Sequence, residues 1–266
     1  MYDSGVGGLT VVRAVQEAMP NEDIIYLADT ARVPYGDKSK DDIIQFSKQI
    51  MDFLIGHGCK LLIVACNTSS AIALPQVIKN IDIPVVGMIT PGAAKAIRTT
   101  QNGKIGIIAT NNTAKSGAYG CEIRKIMANA QVYEKGCPLL VPMIEAGEVS
   151  GDKVRNVIRE YVDGMLSCKI DTLIYGCTHY PYLKDEIRNV VGDSIRLIDP
   201  ALEVAEEVSK ILKNKQNDLL SYADDKGKLK VFVTGDIDNF KQYAYKLIKR
   251  EINDIVHLDL EDLITE

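Results

Sequence analysis

Two of the six cysteines stand in matching contexts. Cys66 closes the apolar stretch in LLIVACNTSS (residues 61–70) and is followed by Asn67 and Thr68. Cys177 closes TLIYGC (residues 172–177) and is followed by Thr178 and His179. A thiol of ordinary pKa near ~8.5 is only a few per cent ionised at pH 7, so using it as a base costs about 2 kcal/mol unless its site lowers the pKa. The helix start expected after each cysteine offers backbone N–H groups and partial positive charge, which favour a thiolate and would also hold a substrate carboxylate. Asp3 and His179 are placed to steer protons. If the two sulfurs face one bound molecule from opposite sides, one can take a proton from a carbon while the other returns one to the far face, inverting that carbon. Cys59, Cys121, Cys137 and Cys168 lack the polar sequel and read as small buried hydrophobes. His57 and His257 read as structural or exposed. Asp3 and Ser4 also suit the cap of a first helix.

Apolar runs that lead into helix starts read as buried parallel strands, so both cysteines belong at carboxyl strand ends, where open α/β sheets bind ligands. The echo extends further. Residues 83–97 (IPVVGMITPGAAKAI) parallel residues 194–208 (SIRLIDPALEVAEEV), with Pro91 and Pro200 each just inside a helix start. Residues 24–36 (IIYLADTARVPYG) resemble residues 105–120 (IGIIATNNTAKSGAYG). Three paired segments in one order suggest two similar half-structures facing each other across a cleft.

In chain order the pattern predicts a first strand ending at Asp3, a glycine-rich turn able to present N–H groups to an anion, and a helix to about residue 19. Strands follow at 24–28, 61–65, 84–88, 105–109, 172–175, 196–198, 229–234 and 255–258. Helices are expected at 39–58, 67–79, from 91, from 113, at 152–167, 180–191, 200–213 and 238–250. Residues 137–147, with two prolines, read as irregular, and residues 216–228 as polar and turn-rich. Strands alternating with helices imply mainly parallel sheets and the α/β class.

A chain of 266 residues with 46% apolar and 25% charged residues can bury one large core or two smaller ones. A net charge of −5, with both signs interspersed, gives no reason to expect nucleic acid or an anionic membrane as partner. The apolar runs are strand-sized, and no signal-peptide pattern opens the chain, so the cytoplasm is the expected location. Six cysteines without a Cys-x-x-Cys pair and only three histidines give neither a disulfide framework nor metal-ligand spacing. No flavin or pyridoxal motif is visible, and no cofactor is expected. A hydrolase or transferase with one nucleophilic cysteine, and a two-domain protein that binds a small acid without turning it over, remain open on these residues.

DSGVGGLTV (residues 3–11), DTARVPYG (29–36), ACNTSSA (65–71), PGA (91–93), SGAY (116–119) and GCTHYPYL (176–183) resemble, in order and over most of the chain, the signature blocks of the aspartate/glutamate racemase family, the glutamate racemases in particular. The resemblance implies two pseudo-symmetric three-layer α/β domains with the active site in the cleft between them. The first would comprise 1–92 with a returning C-terminal βαβ unit, 206–266, and the second 93–205. It implies cofactor-independent interconversion of L- and D-glutamate, supplying D-glutamate for peptidoglycan and so for cell-wall biogenesis and cell shape. Cys66 and Cys177 would be the proton acceptor and donor pair. Asp3 would assist Cys66, and His179, supported by Glu145, would assist Cys177. Asp3, Ser4, Tyr35, Gly36, Asn67, Thr68, Thr178 and His179 would form the pocket for a small-molecule substrate, glutamate. The oligomeric state stays open, a homodimer included. Ser69 stands where the family carries alanine.

Overall fold

The computed structural model describes residues 1–215, 226–248 and 252–264. Strands β1 (Tyr2–Asp3), β2 (Ile24–Ala28), β3 (Leu62–Val64), β4 (Val85–Gly87), β5 (Lys104–Ala109), β6 (Gln131–Gly136), β7 (Thr172–Gly176), β8 (Arg196–Ile198), β9 (Leu229–Val233) and β10 (Ile255–His257) form two sheets. One has the order β10-β9-β2-β1-β3-β4 and the other β6-β5-β7-β8. Every strand pair is parallel, as the alternation of strands with helices requires. Successive side chains point to opposite faces, so each sheet needs an apolar layer on both sides. Along β2, Ile24, Tyr26 and Ala28 join one core with Val11 and Val15 of the helix Leu9–Ala18. Leu27 joins the other, with Ile50, Met51 and Leu54 of the helix Lys40–Gly56. In the second sheet, Leu173 and Tyr175 pack on Val154, Ile158, Val162 and Met165, the buried stripe of the helix Asp152–Ser167. Ile174, on the opposite face, packs with Tyr119 and Ile123.

The chain crosses between lobes twice. The helix Ile89–Thr99 follows β4 but buries Ile89, Ala93 and Ala96 against β5 of the second sheet. The helix Pro200–Lys215 follows β8 but buries Val204, Ala205 and Val208 in the first core. Residues 92/93 and 205/206, where the domains were expected to divide, fall within these two helices. Glu203 ties them together through Lys95 at 2.8 Å and Arg98 at 2.9 Å. The C-terminal strands β9 and β10 extend the first sheet, as the resemblance implied.

Three sequence expectations change. Residues 137–147 are not irregular: the strand β6 precedes them and a short helix, Leu140–Glu145, runs through them, with Pro142 tolerated in its first turn. The half-exposed edge strand β6 has no apolar alternation to announce it. Its presence alters the repeat, since β2-β1-β3-β4 now corresponds to β6-β5-β7-β8. The counterpart of β5 is therefore β1, and residues 24–36 and 105–120 are not equivalent; the other two paired segments are. Helices expected to be continuous are interrupted by Pro75 after Ile72, by Gly117 in the left-handed conformation (φ 64°), and by a 3₁₀ turn at Tyr180–Leu183 before the helix Lys184–Val191. The expected turn-rich stretch lies outside the described residues over 216–225, as does the expected helix end at 249–250. Among the described residues, no helix is long and apolar enough to cross a membrane.

Candidate active site

The carboxyl ends of both sheets converge on a cavity of about 290 Å³. All eleven candidate residues line it: Asp3, Ser4, Tyr35, Gly36, Cys66, Asn67 and Thr68 from one lobe, and Glu145, Cys177, Thr178 and His179 from the other. Among the described residues, no lysine or arginine lines it.

At the end of β1, Asp3 is 1% exposed and takes Gly5 N–H and Gly8 N–H on Oδ2, both at 3.1 Å. The glycine turn does present its N–H groups to an anion, but the anion is the chain's own Asp3. Oδ1 accepts the Thr178 hydroxyl from the other lobe at 3.4 Å, and the Thr10 hydroxyl reaches Thr178 O at 3.2 Å. Burial raises the pKa of Asp3, partly opposed by His179 and by the two N–H groups. Close approach explains the glycines. A Cβ at Gly7 would lie 2.6 Å from His179 Cε1 and closer still to Nδ1, and one at Gly8 would lie 2.6 Å from Tyr26 Oη.

The two thiols lie in different settings. Cys66 caps the helix Asn67–Ile72, its Sγ accepting Ser69 N–H at 3.5 Å, with Ser4 Oγ at 4.0 Å. That cap was expected to favour thiolate, yet burial and then the negative charge of Asp3 outweigh it and push the Cys66 thiol up to about 12. The buried Ser69 hydroxyl also favours the thiolate. Cys177 has no α-helix start behind it, since the helix begins only at Lys184. Its neighbour is His179, with Nδ1 3.8 Å from Sγ and Nε2 3.2 Å from Glu145 Oε1. Burial alone would lower the His179 pKa, but the Cys177 sulfur and the Glu145 carboxylate raise it to about 10. The arrangement therefore offers a protonated thiol on one side and a sulfur paired with an imidazolium on the other.

Tyr35 and Gly36 enter the wall on a loop fixed from both lobes. The Tyr35 hydroxyl donates to Asp29, which is also held by Arg32 Nε at 2.7 Å and the Thr234 hydroxyl at 2.8 Å. From the second lobe, Asn112 Nδ2 donates to Tyr35 O at 3.1 Å and to Lys38 O at 2.8 Å. Thr68 meets Thr110 at 2.9 Å and Thr113 at 3.2 Å, and the Tyr119 hydroxyl donates to Asn67 Oδ1 at 2.7 Å.

Sequence reasoning missed several lining residues, among them Thr110, Asn111, Cys137, Pro138 and Val141. Thr110 and Asn111 follow the end of β5, and the rule that ligands bind beyond carboxyl strand ends points to them. Cys137 is buried, as expected, with Sγ 3.5 Å from Lys135 O, but it also faces the cavity; it follows the unforeseen strand β6. Cys59, Cys121 and Cys168 line no part of the cavity, and Cys121 is exposed rather than buried. His57 and His257 are exposed on the surface.

The family model described as Asp/Glu/Hydantoin racemase matches residues 9–208. A glutamate racemase of Persephonella marina is 43% identical over 265 residues, covering 100% of this chain and 98% of that protein. A crystal structure of a glutamate racemase isoform from Bacillus anthracis superposes with a TM-score of 0.92 at 35% identity, covering 97% of this chain and 96% of that one. The glutamate racemase of Francisella tularensis, solved in complex with D-glutamate, gives a TM-score of 0.90 at 37% identity, with 98% and 96% covered.

Proposed function

Because the chain belongs to the Asp/Glu/hydantoin racemase family, we propose that it is an isomerase that interconverts L- and D-glutamate with Cys66 and Cys177 as its two acid–base groups. The observation that carries this reading is that both thiols line one small cavity, each from the end of a corresponding strand in the two sheets. Cys177, paired with a protonated His179, takes the α-proton. Cys66, held as a thiol by burial and by Asp3, delivers a proton to the opposite face. The positions then exchange roles for the reverse reaction. Asn67 and Ser4 supply neutral donors for the substrate carboxylates, and Thr68 and Thr178 complete the same wall. Glu145 orients His179 and favours its charge. No step calls for a cofactor. On this reading the lobes divide as 1–92 with 206–266 against 93–205, and the protein works in the cytoplasm, supplying D-glutamate for peptidoglycan.

Incubation of either enantiomer in deuterated water tests the chemistry. The α-carbon should acquire deuterium as the other enantiomer appears, and Cys66→Ala and Cys177→Ala should each abolish racemisation. Full activity in either variant refutes the two-thiol mechanism. A covalent adduct that depends on one thiol alone would identify a hydrolase or transferase instead.

A further inference from the structure

Tyr119 does not line the cavity, yet it is fully buried and spends its hydroxyl on the opposite lobe. It sits in the first turn of the helix Ala118–Ile126, two residues after the left-handed Gly117. Its ring is closed in by the crossing helix, where a Cβ at Gly92 would come within 3.2 Å of Tyr119 Cε1. Burial raises its pKa well above the usual phenol value, so at working pH the phenol keeps its proton and acts as a donor. The acceptor is Asn67 Oδ1, at 2.7 Å.

That bond fixes the carboxamide. With Oδ1 committed to Tyr119, Nδ2 is left buried with no partner, on a residue that lines the cavity beside Cys66. A buried unpaired donor is costly, and an acceptor supplied by a ligand relieves that cost. The hydroxyl of Thr68, the next residue, is engaged with those of Thr110 and Thr113 across the same seam, whereas Asn67 Nδ2 has no partner. Turning the amide over would put Nδ2 against the phenol and the electron-rich Oδ1 toward the ligand, in a wall that already contains Asp3 and Glu145. A carboxylate ligand would then be repelled.

We propose that Tyr119 is a positioning residue: from the second lobe it holds the Asn67 carboxamide with Nδ2 turned to the cavity as a donor to a carboxylate of the bound amino acid, so that this recognition is complete only with the lobes together. The inference rests on the racemase reading for the identity of the ligand.

A double-mutant cycle tests it. Calorimetric affinity for L- and D-glutamate is measured for wild type, Tyr119→Phe, Asn67→Ala and the double variant, with thermal unfolding to confirm that each is folded. Tyr119→Phe should weaken binding about tenfold, as loss of one directed hydrogen bond to a carboxylate does. In racemisation assays the same change should fall on KM more than on kcat. In the Asn67→Ala background, Tyr119→Phe should add less than about twofold, because the amide it orients is gone. A merely structural phenol would weaken both backgrounds alike, and that additive result, or an unaltered affinity in Tyr119→Phe, overturns the inference. If Tyr119→Phe does not fold, the side-chain amide signals of Asn67 in wild type serve instead: they should shift on adding glutamate, and unchanged signals in a saturated sample overturn the inference. If wild type binds and racemises glutamate but the cycle is additive, only this inference falls. If wild type binds without turnover and the cycle is non-additive, the inference stands and the racemase reading falls.

Discussion

Replacing Gly7 by alanine should cost about a hundredfold in kcat/KM while leaving the cores untouched. The added Cβ would sit 2.6 Å from His179 Cε1 and closer to His179 Nδ1 and Thr178 Oγ1, all on the opposite lobe. Carbon atoms pack at about 3.5 Å, so nearly 1 Å must be found at this seam. Either the lobes part by that amount, or the imidazole moves from the Cys177 sulfur 3.8 Å away and from Glu145 at 3.2 Å. Both outcomes misplace groups that have to act on one carbon, and a misplacement of about 1 Å costs on the order of 10²-fold. The neighbouring Gly5 is the internal control, since a Cβ there meets only Val33 Cγ2, at 4.0 Å, an ordinary contact. The assay is the change in optical rotation of D- or L-glutamate over time for wild type, Gly7→Ala and Gly5→Ala, with urea unfolding of each. Gly5→Ala should stay within a few-fold of wild type. Gly7→Ala racemising at the wild-type rate, or losing activity only in proportion to lost stability, would refute the seam argument.

Other outcomes follow from charge. Glu145→Gln removes one of the groups that raise the His179 pKa to about 10. A folded-state pKa raised above the ordinary value gives a stabilisation fully present below about 6.5 and lost as pH rises through about 10. In the variant this loss, and the alkaline limb of kcat with it, should move to lower pH. A partly exposed partner worth about 1.5 kcal/mol corresponds to about one pH unit. A pH–rate profile with an unmoved alkaline limb contradicts this. Asp29→Ala strips a fully buried carboxylate from Arg32, Tyr35 and Thr234, leaving a mostly buried guanidinium unpaired. Denaturant unfolding should show a loss of about 3–5 kcal/mol, as for breaking a buried pair, together with a higher KM because the Tyr35–Gly36 loop comes loose.

The parts of this molecule that could be read from its sequence are those written in local pattern. Runs such as residues 61–65 and 172–175 announce buried strands, and Asp152–Ser167 shows its apolar stripe at helical spacing. Their polar sequels marked both cysteines, and the cavity contains them. What was hidden depends on pairing across distance. The strand β6 carries Glu134 and Lys135 at a sheet edge and follows no alternation, so its neighbour β5 was matched to β2 rather than to β1. The thiol settings were hidden for a related reason. The helix start at Asn67 forms as expected, but the helix expected after Cys177 gives way to a 3₁₀ turn, and burial, which no local pattern reports, decides the state of Cys66. The contacts that close the seam, Tyr119 with Asn67, Asn112 with Tyr35 and Thr10 with Thr178, join residues far apart in the chain. Only the assembled fold brings them together.

That no lysine or arginine among the described residues lines the cavity has a practical corollary for an acidic ligand. An anion seated on hydroxyl and amide donors, with the cationic His179 already paired with the Cys177 sulfur and Glu145, exchanges solvent dipoles for protein dipoles and draws little on the attraction between opposite ions that dissolved electrolyte screens over about 10 Å at 0.1 M. Affinity should therefore drift only slightly between dilute buffer and brine, and such a binder keeps its grip where a guanidinium clamp would lose it.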